Sequence, residues 1–228
     1  MYTVSVIVPA YNEEKTIETS LMRLLEQLNF KQILVVNDGS TDSTLQIVSR
    51  LSKVDSRIII INNPINKGKG YALSLTKAYI NSDFVVIHDA DLEYNPIDLK
   101  AAFELLEKGK MILGSRFIGK KKRSNLYKRT ILANKIMSKF FSFVNSINIT
   151  DIATCYKLMP SDYFKNTHFV EEGFSIEIEI VSKFLKISNN IIEIPISYNG
   201  RSYEEGKKIK TKDGFLYLKN ILKYKFLK

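Results

Sequence analysis

Three carboxylates follow an apolar run near the middle of the chain. The run Phe84 to His88 leads into Asp89, Asp91 and Glu93, which are spaced two residues apart. Alternate residues of an extended segment share one face, so strand geometry continued past the run would bring these side chains together. Carboxylate oxygens suit hard cations such as Mg²⁺ or Mn²⁺. The pattern indicates either a metal site that could hold a diphosphate or a polar loop after a strand.

Three further segments with polar or glycine residues follow predicted strands. They are Pro9-Ala10-Tyr11-Asn12-Glu13, Asn37-Asp38-Gly39-Ser40 and Asn66-Lys67-Gly68-Lys69-Gly70. Ligands of an open parallel sheet bind beyond the carboxyl ends of its strands, where these segments would meet the three carboxylates. An aromatic ring there could stack on a base, a carboxylate could accept hydrogen bonds from a ribose, and a bound metal could offset diphosphate charge. Together the four segments predict a nucleotide-diphosphate site.

Two commoner nucleotide-binding motifs are missing from the sequence. A dinucleotide-binding fold requires Gly-x-Gly-x-x-Gly between the first strand and helix, but this chain has Pro9-Ala10-Tyr11-Asn12-Glu13-Glu14 there. A P-loop requires Gly-x-x-x-x-Gly-Lys-Ser/Thr, whereas Gly68-Lys69-Gly70 provides a short turn with one cation. The sequence therefore argues against both of these sites.

The elements that must position these segments alternate along the first half of the chain. Apolar runs predict strands at Val4 to Val8, Gln32 to Val36, Arg57 to Ile61, Phe84 to His88 and Met111 to Gly114. Amphipathic spacing and capping residues predict helices that start near Glu13, Ser43, Gly70 and Pro96. This alternation is typical of βαβ units, so we expect an α/β fold with a mostly parallel sheet.

The second half of the chain is less regular. A basic connector, Lys120 to Lys128, is followed by a predicted helix that contains Ile131 to Phe143. A further helix is predicted at Ile176 to Phe184 and a strand at Ile191 to Tyr198. The tail, residues 207–228, interleaves lysine with phenylalanine, leucine and isoleucine. Such a tail suits an amphipathic helix on an anionic membrane, and it also suits a terminal helix packed on the sheet.

Length and composition limit the class of protein. The 228 residues are 45% apolar and 25% charged, which fits a globular chain with one sizeable core, and we expect a single domain. With 34 Lys and Arg against 24 Asp and Glu, the net charge of +10 favours an anionic partner, either a phosphorylated ligand or a membrane surface. No nucleic-acid recognition motif is present, so we expect no nucleic-acid partner.

Several features favour the cytoplasm. The single cysteine, Cys155, excludes an internal disulfide and fits a reducing compartment. The sequence opens directly into a strand-like run without a signal peptide, and no apolar stretch approaches the ~20 residues that span a bilayer. We therefore expect a cytoplasmic protein without a transmembrane segment, peripheral on the cytoplasmic face of a membrane. No stable protein partner can be inferred.

The chain resembles the family 2 glycosyltransferases of the GT-A fold, because the four segments stand in that family's order. It is most similar to the dolichol-phosphate mannosyltransferase branch and its bacterial and archaeal polyprenyl-phosphate relatives. Gly114 to Phe117, Arg129 to Asn134 and Asp151 to Lys157 extend the match, which covers residues 4–206 approximately. The resemblance implies a Rossmann-like, mostly parallel central sheet with helices on both faces, plus a smaller acceptor-side region towards the C terminus.

The resemblance also implies roles for parts of the chain and for single residues. Residues 1–115 would bind the nucleotide sugar, residues 116–206 would form the acceptor side, and residues 207–228 would form the basic amphipathic tail. The implied donor-binding residues are Pro9, Tyr11, Glu13, Asp38, Lys69, Asp89, Ala90 and Asp91. The implied ligands of Mg²⁺ or Mn²⁺ are Asp89, Asp91 and Glu93, although relatives often have glutamine at the third position. The implied catalytic residues are Asp91, Arg116 and Arg129, with the arginines on the donor diphosphate and the acceptor phosphate.

The implied reaction is a metal-dependent, inverting transfer of a hexose from a nucleotide-diphosphate sugar, of the GDP-mannose or UDP-glucose type, to a polyprenyl or dolichyl phosphate. We favour this acceptor because a phosphate is ionised at neutral pH and needs no general base. A glycan hydroxyl acceptor would need one, for which Asp91, Asp151 and Glu177 are candidates. A third hypothesis is a nucleotide-sugar-binding protein without turnover. His88 would point away from Asp89 in a strand and is predicted to be structural.

Overall fold

The computed structural model describes residues 2–125, 127–201 and 211–226, with side chains from 216 onwards in the last range. Its strands are β1 (Val4–Ala10), β2 (Gln32–Asp38), β3 (Ile58–Asn63), β4 (Phe84–Ile87), β5 (Met111–Ser115), β6 (Arg123–Ser124), β7 (Lys157–Pro160), β8 (Ile191–Pro195) and β9 (Tyr198–Asn199). Its helices are α1 (Ile17–Gln27), α2 (Thr44–Val54), α3 (Lys69–Leu75), α4 (Leu99–Glu104), α5 (Lys128–Asn145), α6 (Ser161–Asn166), α7 (Ile176–Phe184) and α8 (Thr211–Phe226). A 3-10 turn, Pro96–Asp98, precedes α4.

A seven-stranded sheet with the order β3-β2-β1-β4-β7-β5-β8 forms the centre of the molecule. The strands β3, β2, β1 and β4 are parallel to one another, and β8 is parallel to β5. Only β7 runs antiparallel to its neighbours in this sheet. The continuous apolar runs of β2 and β4 are buried along their whole length, as expected for strands covered on both faces. The predicted mostly parallel α/β sheet is confirmed.

The antiparallel strand β7 was not predicted from the sequence. It begins at Lys157, a charged residue that is wholly buried in the structure because it pairs with Glu177. A lysine at that position lowers the apolar signal on which strand prediction depends. The strand nevertheless completes the sheet between β4 and β5, so the two parallel parts of the sheet become one surface.

Among the predicted boundaries that differ from the structure, three concern the surroundings of the site. The strand predicted over Ile191 to Tyr198 is two strands, β8 and β9, and β9 pairs with β6 of the basic connector in a separate two-stranded sheet. The first helix begins at Ile17 and not near Glu13, because the Glu13 carbonyl accepts hydrogen bonds from the backbone of Thr16 and Ile17 in a turn. The strand before the carboxylates ends at Ile87, one residue earlier than predicted.

The C-terminal helix α8 packs against α5 and α7. Its inner side buries Tyr217, Asn220, Ile221 and Tyr224, so this part of the tail forms a helix packed on two other helices. Residues 207–210, also part of the predicted tail, lie outside the described residues. Within the described ranges, every helix is too short or too polar to cross a bilayer.

Candidate active site

A cleft of about 500 Å³ opens at the carboxyl ends of β1, β2 and β4. This volume is typical of small-molecule sites, which occupy roughly 300–1,000 Å³. The cleft brings together all the residues predicted for donor and metal binding, namely Pro9, Tyr11, Glu13, Asp38, Lys69, Asp89, Ala90, Asp91 and Glu93, together with Arg116. The segments that end the strands therefore meet at one site, as the parallel topology requires.

Asp38, at the end of β2, fixes the loop that follows β3. Its carboxylate accepts hydrogen bonds from Asn63 Nδ2 at 2.7 Å and from the backbone nitrogen of Gly68 at 2.7 Å. A third donor is the Lys67 backbone nitrogen at 3.2 Å. Gly68 has a φ of +103°, in the region that favours glycine. In this structure the Asp38 carboxylate therefore holds the loop that precedes α3.

Gly70, in the first turn of α3, permits a close backbone contact with the opposite wall of the cleft. A Cβ atom built on Gly70 would lie 1.9 Å from the carbonyl oxygen of Glu171. The next residue, Tyr71, donates its backbone N–H to the Glu172 carbonyl at 3.1 Å. The Gly68-Lys69-Gly70 segment thus joins α3 to the backbone that leads into Gly173 and α7, and only glycine fits at the point of contact.

Asp89 belongs to a chain of four alternating charges, Asp89, Lys69, Glu177 and Lys157. We call it the buried ion chain because the side chains of the last three are buried, whereas that of Asp89 is 28% exposed. Lys69 Nζ lies 2.6 Å from Asp89 Oδ1 and 2.6 Å from Glu177 Oε1, and Lys157 pairs with the other Glu177 oxygen. Burial acts to raise the pKa of Asp89, but the Lys69 ammonium outweighs it and the net shift is downward. Glu177 neutralises two lysines in this arrangement, which disfavours a role as a general base.

A single guanidinium, that of Arg201, contacts the other carboxylates of the cleft. Its Nη2 lies 2.8 Å from Asp91 Oδ2 and its Nη1 lies 3.1 Å from Glu13 Oε2. The nearest approach to Glu93 is 3.8 Å, between Nε and Oε1. Glu93 also accepts hydrogen bonds from the Tyr198 hydroxyl and from the Arg201 backbone nitrogen, both at 2.7 Å. We call Glu13, Asp91 and Glu93 the carboxylate cluster.

The carboxylate cluster carries more negative charge than Arg201 offsets. Burial, followed by the charges of Glu93 and Asp89, raises the pKa of Asp91 to about 8, although the Arg201 guanidinium acts to lower it. Like charges held close together in a buried site favour protonation of one of them. The same imbalance makes the cluster attractive to an additional cation, which would lower the free energy of the ionised Asp91.

Asp89, Asp91 and Glu93 do not form the preassembled three-carboxylate site that the sequence predicted. Among the described residues, no three carboxylate, histidine or cysteine side chains converge as metal ligands would. Strand geometry ends at Ile87, so Asp89 faces Lys69 while Asp91 and Glu93 face Arg201. The residues still fit Mg²⁺ or Mn²⁺, because Mg²⁺ commonly takes one or two protein carboxylates and completes its shell with phosphate oxygens and water.

Arg116 lines the cleft and is held by Asp151. The Arg116 Nε and Nη2 atoms donate to the two Asp151 oxygens at 2.7 and 2.8 Å, and the backbone nitrogen of Arg116 donates at 3.0 Å. Burial acts to lower the pKa of Arg116, but Asp151 outweighs it and the net shift is upward, so the guanidinium keeps its charge. Asp151 is wholly buried. Its role here is to orient Arg116, which disfavours Asp151 as a general base.

The structure does not bring Arg129 to the cleft. Arg129 is exposed in the first turn of α5, whereas Thr130 and Asn134 of the same helix line the cleft. His88 is buried between Ser20 Oγ at 3.1 Å and the Tyr156 hydroxyl at 3.0 Å. Burial lowers the pKa of His88 to about 4, so the ring is neutral near pH 7. This environment agrees with the prediction that His88 is structural.

Sequence reasoning did not identify Arg201 and Tyr198 as part of the site. Both follow β8. Tyr198 is the last residue of the strand predicted over Ile191 to Tyr198, Arg201 lies beyond that strand, and no role was predicted for either residue. The signal that could have located them is Asn199-Gly200, a turn dipeptide between the two residues. Their partners Asp91 and Glu93 lie more than 100 positions earlier in the chain, so local patterns do not reveal the contacts.

Comparison with protein families identifies the class of this chain. The family model described as glycosyl transferase family 2 matches residues 5–167. The chain belongs to this family. The matched range contains the four segments at the strand ends together with Arg116 and Asp151, so the cleft of this family 2 member is built mainly from family-defining sequence.

Curated relatives of this family 2 chain include transferases named for polyprenyl phosphates. A dolichol-phosphate mannosyltransferase of Pyrococcus furiosus is 29% identical over 231 residues, which are 99% of this chain and 64% of the relative. A dolichyl-phosphate beta-glucosyltransferase of Trichomonas vaginalis is 28% identical over 216 residues, 86% of this chain and 65% of the relative. An undecaprenyl-phosphate mannosyltransferase of Micrococcus luteus is 24% identical over 210 residues, 88% of this chain and 85% of the relative. The chain thus spans less than two thirds of the Pyrococcus and Trichomonas proteins.

Solved structures of glucosyl-3-phosphoglycerate synthase from Mycobacterium tuberculosis share the fold. The complex with Mn²⁺, UDP-glucose and phosphoglyceric acid has a TM-score of 0.74 and 18% identity, and the match covers 100% of this chain and 81% of that one. The complex with Mn²⁺, UDP and glucosyl-3-phosphoglycerate has a TM-score of 0.72 and 16% identity, and the match covers 98% and 78%. At these identities the likeness concerns the fold, and it confirms the GT-A prediction.

Proposed function

We propose that the chain transfers a hexose from a nucleotide-diphosphate sugar to a polyprenyl phosphate, with inversion at the anomeric carbon. The observation that carries this proposal is the cleft at the carboxyl ends of β1, β2 and β4, whose lining combines carboxylates for a cation with cations for phosphates. Family membership supports the sugar transfer. The names of the relatives, which specify dolichol, dolichyl and undecaprenyl phosphate, support a lipid phosphate acceptor.

In this proposal the nucleotide lies between the ends of β1 and β2. The Tyr11 ring offers a stacking surface for the base, and Asp38 offers acceptor oxygens at the edge of the same pocket. Pro9, Glu13 and Ala90 form further parts of the donor wall. The remaining donor residues, Lys69 and Asp89, are held at the end of β4 by the buried ion chain, on the side where a ribose and a diphosphate would lie.

The proposed cation is Mg²⁺ or Mn²⁺, with Asp91 as its principal protein ligand and Asp89 and Glu93 as candidates for the others. When bound, such an ion supplies positive charge that stabilises the departing nucleoside diphosphate. The Mn²⁺ complexes of the Mycobacterium tuberculosis synthase, which has the same fold, make a divalent cation compatible with this architecture.

The chain's own residues favour a phosphate acceptor over a hydroxyl acceptor. Asp151 engages Nε and Nη2 of Arg116, which fixes the guanidinium in the cleft wall, where it could meet an anionic ligand. An ionised phosphate oxygen can attack the anomeric carbon without losing a proton, so no general base is required. Two of the three candidate bases, Asp151 and Glu177, are occupied by buried cations. Arg129 stays a prediction for the acceptor phosphate.

The proposed function is tested by isotope transfer. The full chain is incubated with GDP-mannose or UDP-glucose labelled in the sugar, with a polyprenyl phosphate and with Mg²⁺ or Mn²⁺. We expect label in a lipid that organic solvent extracts and mild acid hydrolyses. The variant Asp91→Asn should lose this transfer while it stays folded. The variant Asp162→Asn, which changes an exposed carboxylate on α6, is the matched control and should keep it.

The same assay separates the alternative functions. Label that appears in a water-soluble glycan, with none in lipid, would replace the lipid acceptor by a hydroxyl acceptor. Binding of a nucleotide sugar without turnover on any acceptor would make the chain a binding protein. Transfer that is unchanged in Asp91→Asn would contradict the assigned role of the carboxylate cluster.

A contact with an anionic membrane surface is part of the proposal. On α5, the apolar side chains of Leu132, Ile136 and Phe143 are 61%, 54% and 84% exposed. Their spacings of four and seven residues place them on one side of the helix. The same side carries the exposed cations Lys128, Arg129, Lys135 and Lys139. The α5 sequence contains no acidic residue, so this face suits a surface of negative charge and apolar chains.

The helix α8, which packs against α5, also has exposed apolar side chains. Leu218, Leu222 and Phe226 are 37%, 44% and 76% exposed there. Thr130 and Asn134 lie on α5 itself and line the cleft, so a membrane against these helices would bring a lipid phosphate close to the site. The α5 face thus adds a second basic, apolar surface to the one predicted for the tail.

Vesicle cosedimentation tests the membrane contact. We expect binding to vesicles that contain anionic lipid, and less binding after removal of residues 207–228 or in the double variant Leu132→Glu/Phe143→Glu. Val54→Glu changes an equally exposed residue at the end of α2, 84% exposed, and should bind as the parent does. Equal binding of the folded α5 variant and of the folded truncated chain would remove the membrane contact from the proposal.

A further inference from the structure

Arg201 bonds the carboxylate oxygens that a donor-site cation would use. Its Nη2 donates to Asp91 Oδ2 at 2.8 Å, and its Nη1 donates to Glu13 Oε2 at 3.1 Å. The side chain is 15% exposed, so little water screens these contacts. A divalent ion on Asp91 and a guanidinium on the same carboxylate would repel each other strongly in such a site.

We propose that Arg201 is a resident counter-ion of the carboxylate cluster, and that a divalent cation must displace its guanidinium in order to bind Asp91. The proposal rests on the metal-dependent donor site proposed above, and it assigns Arg201 an effect on cation affinity that is separate from sugar transfer. In the absence of the cation, Arg201 offsets the charge of Glu13 and Asp91 and keeps them close together.

The guanidinium can leave Asp91 while the Arg201 backbone stays in place. The Arg201 backbone nitrogen donates to Glu93 Oε1 at 2.7 Å, and the Asn199 backbone nitrogen donates to the Glu93 carbonyl at 2.8 Å. The Tyr198 hydroxyl binds the other Glu93 oxygen. These contacts anchor the segment from Tyr198 to Arg201 beside the cluster. The exchange therefore requires rotation of the Arg201 side chain and leaves the fold unchanged.

The other cation near the carboxylates, Lys69, is less suited to exchange. Lys69 is held between Asp89 and Glu177 at 2.6 Å from each, and its side chain is 7% exposed. Displacing it would leave Glu177 with Lys157 alone and would uncover a buried charge, which is costly. In contrast, Arg201 Nε has no hydrogen-bond partner among the described residues. Because Arg201 is paired less tightly than Lys69, Arg201 is the cation that a metal ion would displace.

Manganese binding to the full chain tests the inference without the sugar-transfer reaction. Free Mn²⁺ is measured by electron paramagnetic resonance in the absence of donor, for the parent and for Arg201→Gln. We expect Mn²⁺ to bind Arg201→Gln at least about tenfold more tightly, because the competing charge is gone. Arg201→Lys keeps a charge but lacks the planar fork that reaches two carboxylates, so its affinity should lie between the two.

The matched control is Arg50→Gln, which removes a positive charge from an exposed pair on α2 and should leave Mn²⁺ affinity unchanged. Metal-free Arg201→Gln should melt at a lower temperature than the parent, and Mn²⁺ should raise its melting temperature by more. If Arg201→Gln does not fold, the inference is tested by the Mn²⁺ affinity of Arg201→Lys, which should be higher than that of the parent protein. Affinity that is equal or weaker in the folded Arg201 variants overturns the displacement. Lipid labelling independent of any metal would instead contradict the metal dependence, and no lipid labelling by the parent protein would overturn the proposed function.

Discussion

Replacement of Glu177 by glutamine should strongly destabilise the protein, because it removes the counter-ion that two buried lysines share. The side chains of Lys69, Glu177 and Lys157 are 7%, 4% and 0% exposed. Glutamine has nearly the same shape as glutamate but no charge. After the change, Lys69 still has Asp89, whereas Lys157 keeps the Thr154 carbonyl and faces the second ammonium.

The expected loss of unfolding free energy is about 3–5 kcal/mol, the usual cost of removing one partner from a buried ion pair. For a domain of this size, about 1 kcal/mol lowers the melting temperature by about 2–4 °C, so the fall should be about 6–20 °C. An exposed pair gives the contrast. Glu18 and Arg50 have side chains that are 51% and 62% exposed, and such surface pairs contribute about 0–1 kcal/mol.

Urea unfolding of Glu177→Gln, Glu18→Gln, Lys157→Met and the double variant Lys157→Met/Glu177→Gln measures the effect. The double variant removes both members of one pair and leaves Lys69 with Asp89, so it should lose less stability than the sum of the two single changes. A Glu177→Gln protein no less stable than Glu18→Gln would refute the reasoning. So would additive losses in the double variant, because either result would mean that the two charges do not interact.

Three further outcomes follow from the cleft. Gly70→Ala should weaken nucleotide binding in calorimetry, because the new Cβ would lie 1.9 Å from the Glu171 carbonyl and must push the cleft walls apart, whereas Gly173→Ala meets no atom within 4 Å and should bind normally. Tyr198→Phe removes the hydroxyl bonded to Glu93 and should cost about 1–3 kcal/mol in urea unfolding, and an unchanged midpoint would contradict that bond. Chelation of divalent metal should stop label transfer into lipid and added Mn²⁺ should restore it, so transfer that persists in chelator would argue against metal dependence.

The position of the cleft was predictable because its main segments are local features of the sequence. The sequence alone shows the apolar runs that end in Pro9-Ala10-Tyr11, Asn37-Asp38 and Asp89-Ala90-Asp91. In a parallel sheet the ligand binds beyond the carboxyl ends of the strands, where these segments meet. The structure brings all three segments to one cleft. The parallel pairing of β1 with β2 and β4 is what makes the rule apply.

The pairing of charges within the cleft was not predictable by the same means. Only one residue, Ala90, separates Asp89 from Asp91, yet Asp89 meets Lys69 from α3 and Asp91 meets Arg201 from the segment after β9. The alternation rule failed here because β4 ends at Ile87 and the backbone bends after it. The burial of Lys157 was not predictable either, because it depends on the ion pair with Glu177, which local sequence patterns do not reveal.

The distribution of charge supports the metal dependence proposed for donor binding, although the net charge of the protein is +10. The lining of the cleft includes five carboxylates, Glu13, Asp38, Asp89, Asp91 and Glu93, and three cations, Lys69, Arg116 and Arg201. Two of these cations are committed to Asp89 and Asp151. A nucleoside diphosphate would therefore meet a lining with an excess of negative charge, and like charges at short range in a partly dry cleft repel. In the proposed function a divalent cation at Asp91 would offset that excess, whereas the exposed cations of α5 are not among the residues that line the cleft and would face the proposed membrane.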